Sequence, residues 1–283
     1  MQQKRVAAIH DISCLGKCSL TVALPIISAA GIECSIIPTA VLSTHTGGFT
    51  DYTCRDLTND IQPISTHWQS LNISFDAIYT GYLASFEQVA IITQFFADFK
   101  NAHNIIAVDP VMGDNGKLYT AFDHNFPKGM RSLCAKADLI MPNLTEAALL
   151  LDEPYQDGPY TQKYIEAMLH KLAAIGPKQV VLTGVYFDEN QLGAATYDSE
   201  TDKIGYALTE RINGYYHGTG DVFGSALVGA LVNGKSLTTA AKIAADFTTK
   251  SIIWTANAQT DIRYGVNFET NLPGYIQSLR LTE

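Results

Sequence analysis

An alternation narrows the folds open to this chain: short apolar, β-branched runs recur between stretches of helical periodicity. Strands that alternate with helices read as βαβ units wound around a mostly parallel sheet, an α/β fold. Val6 to His10 predicts the first strand, and a helix follows from about Ser19 to Ala30, closed by Gly31. Glu33 to Pro38, Ala77 to Thr80, Ile105 to Asp109, Asp138 to Met141 and Gln179 to Thr183 read as further strands. Helices at about Glu87–Asn101 and Tyr160–Ile175 connect them. Leu192 to Tyr197 and Lys203 to Ala207 read as a late hairpin around the charged turn Asp198–Asp202. A chain of 283 residues, 47% hydrophobic, can form one large domain or two small ones. With no linker, repeat or low-complexity tract in view, a single domain over residues 1–283 is the preferred reading.

Ligands of such sheets bind beyond the carboxyl ends of the strands, and the unusual residues of this sequence collect there. Gly218-Thr219-Gly220-Asp221 stands directly before Val222, Phe223, Ala226, Leu227, Ala230 and Leu231, whose spacing is that of a buried helical face, with Asn233-Gly234 as the stop. A helix N-terminus offers unpaired N–H groups and partial positive charge, and glycines let that backbone approach phosphate oxygens. An acid at this place is a poor phosphate ligand but a good acceptor for the proton of an attacking alcohol. The plainer alternative is that Asp221 only caps the helix.

Other strand ends add to this pattern. Asp11-Ile12-Ser13-Cys14-Leu15-Gly16 reads as a polar loop after the first strand, and Ser43-Thr44-His45-Thr46-Gly47-Gly48 offers hydrogen bonds to a small polar ring. Thr80-Gly81-Tyr82 would aim an aromatic face at the same crevice, although taken alone Tyr82 reads more simply as a core or surface tyrosine. Asp109, in Asp109-Pro110-Val111-Met112-Gly113-Asp114, and Glu146, in Asn143-Leu144-Thr145-Glu146, supply hard oxygen ligands of the kind Mg²⁺ on ATP phosphates needs. Each acid alone reads more simply as a helix cap; together with Gly218–Asp221 they favour metal-dependent phosphoryl transfer. Lys17-Cys18-Ser19 after Gly16 lacks the spacing of a P-loop and is discounted.

Composition excludes several alternatives. The balance of 28 acidic to 19 basic residues, net −9, with no basic run, argues against a nucleic-acid surface. The N-terminal apolar stretch Val6 to Ile9 is too short for a signal peptide or a membrane span, so a cytosolic, cytoplasmic protein is expected. Five cysteines without a C-x-x-C pair suggest reduced, mostly buried thiols and no zinc site.

The ordered set Asp109-Pro110-Val111-Met112-Gly113, Pro142-Asn143-Leu144-Thr145-Glu146 and Gly218-Thr219-Gly220-Asp221 resembles the ribokinase superfamily. Ser43-Thr44-His45-Thr46-Gly47, Thr80-Gly81-Tyr82-Leu83 and Ala8-Ile9-His10-Asp11 look like the vitamin B6 (pyridoxal) kinases within it. The resemblance runs from about Val6 to Trp254. It implies a ribokinase-like central sheet flanked by helices on both faces, a homodimer, MgATP as phosphoryl donor and often a monovalent cation such as K⁺. It further implies Asp221 as catalytic base, Gly218, Thr219 and Gly220 as the anion hole, and Asn143 and Glu146 as organisers of Mg²⁺ and phosphate, with Thr183 and Gly184 at the nucleotide. Asp11, Ser13, His45, Thr46 and Tyr82 would surround the vitamin ring.

Two positions depart from the best-known pyridoxal kinases: Asp11 stands where they have a serine near the ring nitrogen, and Leu42 replaces a phenylalanine. A carboxylate pairs well with a protonated pyridine, and an aminopyrimidine would also donate to it. The expected reaction is therefore phosphorylation of the hydroxymethyl group of pyridoxal, pyridoxamine or pyridoxine, with hydroxymethylpyrimidine as the alternative substrate. A sugar suits Tyr82 and the Thr46 loop less well, and a non-enzymatic nucleotide sensor would be expected to lose Asp221.

Overall fold

The computed structural model describes residues 3–280. Its strands are β1 Arg5–Leu15, β2 Glu33–Thr44, β3 Cys54–Asp56, β4 Ala77–Thr80, β5 Ile105–Val108, β6 Gly113–Asp114, β7 Lys117–Leu118, β8 Leu139–Ile140, β9 Gln179–Val185, β10 Gln191–Asp198 and β11 Lys203–Glu210. The helices are α1 Leu20–Ala29, α2 Thr58–Ser70, α3 Phe86–Phe99, α4 Phe126–Cys134, α5 Leu144–Leu151, α6 Gln162–Ala173, α7 Thr219–Val232, α8 Leu237–Ala258 and α9 Leu272–Leu279. Nine strands form one sheet in the order β11-β10-β9-β8-β5-β4-β1-β2-β3, and β6 and β7 pair separately as a small hairpin. The centre, from β2 to β9, is parallel; β3, β10 and β11 join antiparallel at the two edges.

Helices cover both faces, which is why Val6 to Ile9 is apolar without alternation. Val6 and Ala8 face a core shared with α1, α7, α8 and α9, while Ala7 and Ile9 face a second core built with α2 to α6. The helix α7 is buried from Val222 to Val232, so it is apolar on every side. From β1 the chain moves to β2 on one side and returns to β4 on the other. The gap between β1 and β4 is thus a topological switch point, the place where open α/β sheets bind ligands.

The first strand is longer than the sequence pattern indicates. Beyond Ile9, where its pairing with β4 ends, β1 continues beside β2 as far as Leu15, across an irregularity between His10 and Ile12. Asp11 and Ser13 therefore sit on a projecting strand, not in a loop. The thiols also differ from expectation: all five cysteines are free, but Cys14 and Cys54 are exposed and only Cys134 is buried. No helix among the described residues is long and apolar enough to cross a membrane.

Candidate active site

At the switch point the carboxylate of Asp11 is buried. Its Oδ1 accepts a 2.6 Å hydrogen bond from the Ser19 hydroxyl, and its Oδ2 a longer 3.5 Å contact from Ser13. Burial pushes its carboxyl up, opposed mainly by the Ser19 hydrogen bond. Tyr82, half-buried past the end of β4, packs its ring at 5.5 Å from that of Phe122. Its hydroxyl is pushed up to about 12 by burial first, with a contribution from the charge of Asp11. Thr46 is exposed at the rim. His45 is buried with both nitrogens engaged: Nδ1 accepts from the Gly47 N–H at 3.1 Å, which leaves Nε2 to donate to the Arg263 carbonyl at 2.5 Å. It can offer a ligand a ring face but no free nitrogen.

Gly218 is the N-cap of α7 at φ 74°, and a Cβ there would stand 2.1 Å from the Lys17 carbonyl oxygen. Only glycine fits that left-handed, backbone-against-backbone contact. No side chain caps α7, so its first N–H groups stay open to an anion. Thr219 donates to the Tyr216 carbonyl at 3.2 Å. Gly220 is exposed, and a Cβ there would meet nothing within 4 Å. Its glycine is not required by backbone angle or by packing. Asp221 lies in the first turn, with the Ser19 backbone beside its carboxylate. The capping role is thus filled by Gly218, not Asp221. Part of Asp221 remains open to the cleft, yet burial pushes its carboxyl up to about 7, aided by the charge of Asp11 and opposed by the Ser19 N–H.

The nucleotide side is built on strand ends and α5. Asn143 and Glu146 form a capping box: Asn143 Oδ1 accepts from the Glu146 N–H at 2.9 Å, and Glu146 Oε2 from the Asn143 N–H at 2.8 Å. Glu146 Oε1 accepts from the Met112 N–H at 3.1 Å, and Asn143 donates to the Gly113 carbonyl at 2.9 Å. Asp109 is buried, and no side-chain or backbone group among the described residues donates to its carboxylate. Burial and then the neighbouring charges of Glu146 and Asp221 push the Asp109 carboxyl well up; burial likewise raises Glu146 against its backbone donors. Thr183 bridges to Asn143 at the end of β9, and Gly184 beside it is exposed at φ 79°. The β6–β7 hairpin is tied in from both sides, since Thr145 accepts from the Gly116 N–H at 2.9 Å and the Tyr215 hydroxyl donates to Asp114 at 3.0 Å.

Asp11, Asp109, Glu146 and Asp221 take part in none of the ion pairs among the described residues. Recesses at the opposite end of the sheet, around Arg5, Glu33 and Asp76, hold charges already bonded to one another. Sequence reasoning overlooked Ser19, whose hydroxyl holds Asp11. Its only signal was adjacency to the discounted Lys17-Cys18 pair.

An open helix N-terminus, a carboxylate in its first turn and further acids at the strand ends of a doubly covered sheet define a small-molecule phosphotransferase of ribokinase-like fold. The sequence profile of the phosphomethylpyrimidine kinase family matches residues 24–266. A Bacteroides thetaiotaomicron protein, provisionally assigned as a phosphomethylpyrimidine kinase, superposes with a TM-score of 0.92 at 38% identity, over 100% of this chain and 96% of that one. An orthorhombic form of it was determined with pyridoxal. The pyridoxal kinase of Lactobacillus plantarum superposes with a TM-score of 0.89 at 32% identity, over 98% of each chain. The pyridoxal kinase of Dictyostelium discoideum is 29% identical over 170 residues, 56% of this chain and 55% of that protein. The chain belongs to the phosphomethylpyrimidine kinase family, within which it groups with the pyridoxal kinases.

Proposed function

We propose that the cleft transfers the terminal phosphoryl group of ATP to the hydroxymethyl group of a vitamin B6 vitamer, yielding the 5′-phosphate. The observation that carries this reading is the nearness of two buried carboxylates at the switch point, Asp11 held by Ser19 and Asp221 within reach of its charge. One carboxylate faces a ring site beside Tyr82, and the other stands in the first turn of an uncapped helix. In this reading Asp221 accepts the alcohol proton, and the open amides of Gly218, Thr219 and Gly220 hold the transferred group. Asp11 faces the ring nitrogen, Tyr82 the ring plane, and Ser13 and Thr46 the ring substituents. His45, its nitrogens engaged, shapes the 45–47 turn. Asn143, Thr183 and Gly184 border the nucleotide.

The residues present fit Mg²⁺. Asp109 is a buried hard-oxygen donor without a hydrogen-bond partner, which a divalent cation satisfies, and Glu146 reaches it through the same acidic patch. Among the described residues no three acids, histidines or cysteines form a ready-made metal site, so phosphate and water oxygens complete the shell. When bound, Mg²⁺ supplies positive charge to the phosphates. The family resemblance adds K⁺, a homodimer, a cytoplasmic setting and one catalytic domain over residues 1–283.

The test is ADP release with MgATP against a substrate panel. Pyridoxal or a close vitamer should exceed ribose, fructose and adenosine in kcat/KM by at least about 10³-fold, because a site built for one donor and acceptor set leaves buried groups unpaired with another. Hydroxymethylpyrimidine is the second reading, favoured by the family profile and by the ability of Asp11 to accept from an aminopyrimidine. A higher kcat/KM for the pyrimidine overturns the vitamin B6 reading.

A further inference from the structure

Ser19 occupies the N-cap position of α1, where a serine ordinarily turns its hydroxyl onto the first N–H groups of its own helix. Here it makes no such bond. Its backbone stands at φ 57°, ψ −130°, a combination that residues with a Cβ rarely adopt and glycine adopts freely. The hydroxyl is turned away to Asp11 at 2.6 Å. Two further contacts lock this arrangement. Ser19 pairs antiparallel with Ile12, between Asp11 and Ser13 on the projecting end of β1. The preceding Lys17 carbonyl packs against Gly218 at the start of α7. A side chain in a conformation suited to glycine, forgoing its helix cap to donate to a buried carboxylate, is what a positioning role requires and what a simple turn does not.

We infer that Ser19 is a positioning residue for substrate choice: its hydroxyl fixes the Asp11 carboxylate toward the ring. The inference rests on the vitamin B6 reading of Asp11 and Asp221. A ring is then accepted when its nitrogen edge meets a carboxylate held in that orientation. The hydroxyl can be removed without touching the backbone contacts, because it donates to Asp11 while the backbone pairs with Ile12 and starts α1.

Ser19→Gly tests this, since it removes the hydroxyl and relieves the backbone. At saturating MgATP, KM for pyridoxal should rise at least about tenfold while kcat falls less than about threefold, with Tm unchanged or higher. Ser19→Ala, which keeps the Cβ and lacks the hydroxyl, should give the same KM. In an Asp11→Ala background, Ser19→Gly should change KM no further, because its target is gone. Wild-type KM in Ser19→Gly, or an effect that adds fully to that of Asp11→Ala, overturns the inference. Asp11→Ala with wild-type KM removes Asp11 from the ring site and both readings with it. A raised KM in Asp11→Ala beside an unmoved Ser19→Gly removes the Ser19 inference alone.

Discussion

Asp221 must be ionised to accept a proton, yet burial and the charge of Asp11 resist its ionisation and bring it to about 7. A base works in its deprotonated form, so kcat/KM should rise with pH along an acid limb centred near that value. Asp221→Asn should lower kcat by about 10²- to 10⁴-fold while the fold is retained. Near-normal kcat in the purified variant would remove Asp221 from the base role. Asp11→Asn takes away a negative charge that raises Asp221, so the acid limb should move to lower pH. A pH profile on both proteins checks the sign, and an unmoved limb would place the two carboxylates out of electrostatic reach. At this scale the placement of Asp221 was legible, because two glycines and an acid directly before an apolar run put that acid in the first turn of a helix. Ser19 was not, because nothing in residue type or spacing announces a serine at positive φ.

In the proposed site α7 offers the anion hole, and its two flanking glycines differ in kind. A Cβ at Gly218 meets the Lys17 carbonyl in a left-handed conformation, whereas one at Gly220 points into open space. Gly218→Ala should therefore lower Tm and activity together, while Gly220→Ala should keep its Tm and lose activity only through conflict with bound phosphate. Thermal melts beside kinetics separate the cases, and a fully active Gly220→Ala argues that no phosphate sits there. Glu146→Gln is less conservative than it looks. Both carboxylate oxygens accept backbone N–H groups, and an amide must turn its own N–H₂ toward one of them. It should lower Tm as well as raise the Mg²⁺ concentration for half activity, and unchanged metal dependence would leave Glu146 as a cap alone.

The central strands were legible because strands buried on both faces are apolar throughout. The far end of β1 was not, since it extends beyond its pairing with β4 and carries the polar residues Asp11 and Ser13. The helix α2 carries Pro63 and buries only Thr58, Ile61 and Ser65, which hid its periodicity. The helix α8 buries mostly alanine, serine and threonine, small residues that do not register as an apolar stripe.

The uncompensated acids bear on the molecule as a whole. A carboxyl raised by folding binds its proton more tightly in the native than in the unfolded chain, so stability falls as pH rises from the ordinary carboxylate range through the raised value. For Asp221 that window ends near 7, and Asp109 and Glu146 are shifted in the same direction. His10 opposes them on the acid side. It is buried with neither nitrogen partnered, and burial takes it down to about 3, so stability is lost as pH falls below its unfolded value of about 6.5. The ligand-free protein should therefore melt higher at about pH 6.5 than at pH 8, and Asp221→Asn should shrink that difference. Melting curves across that range check it, and a Tm that rises steadily to pH 8 contradicts the raised acids.

An acidic patch that repels itself when empty also makes the lifetime of the protein depend on its work. Whatever brings positive charge to Asp109 and Asp221 favours the native chain over the open forms that proteases cut. Protein holding its ligands should therefore outlast the empty protein under protease.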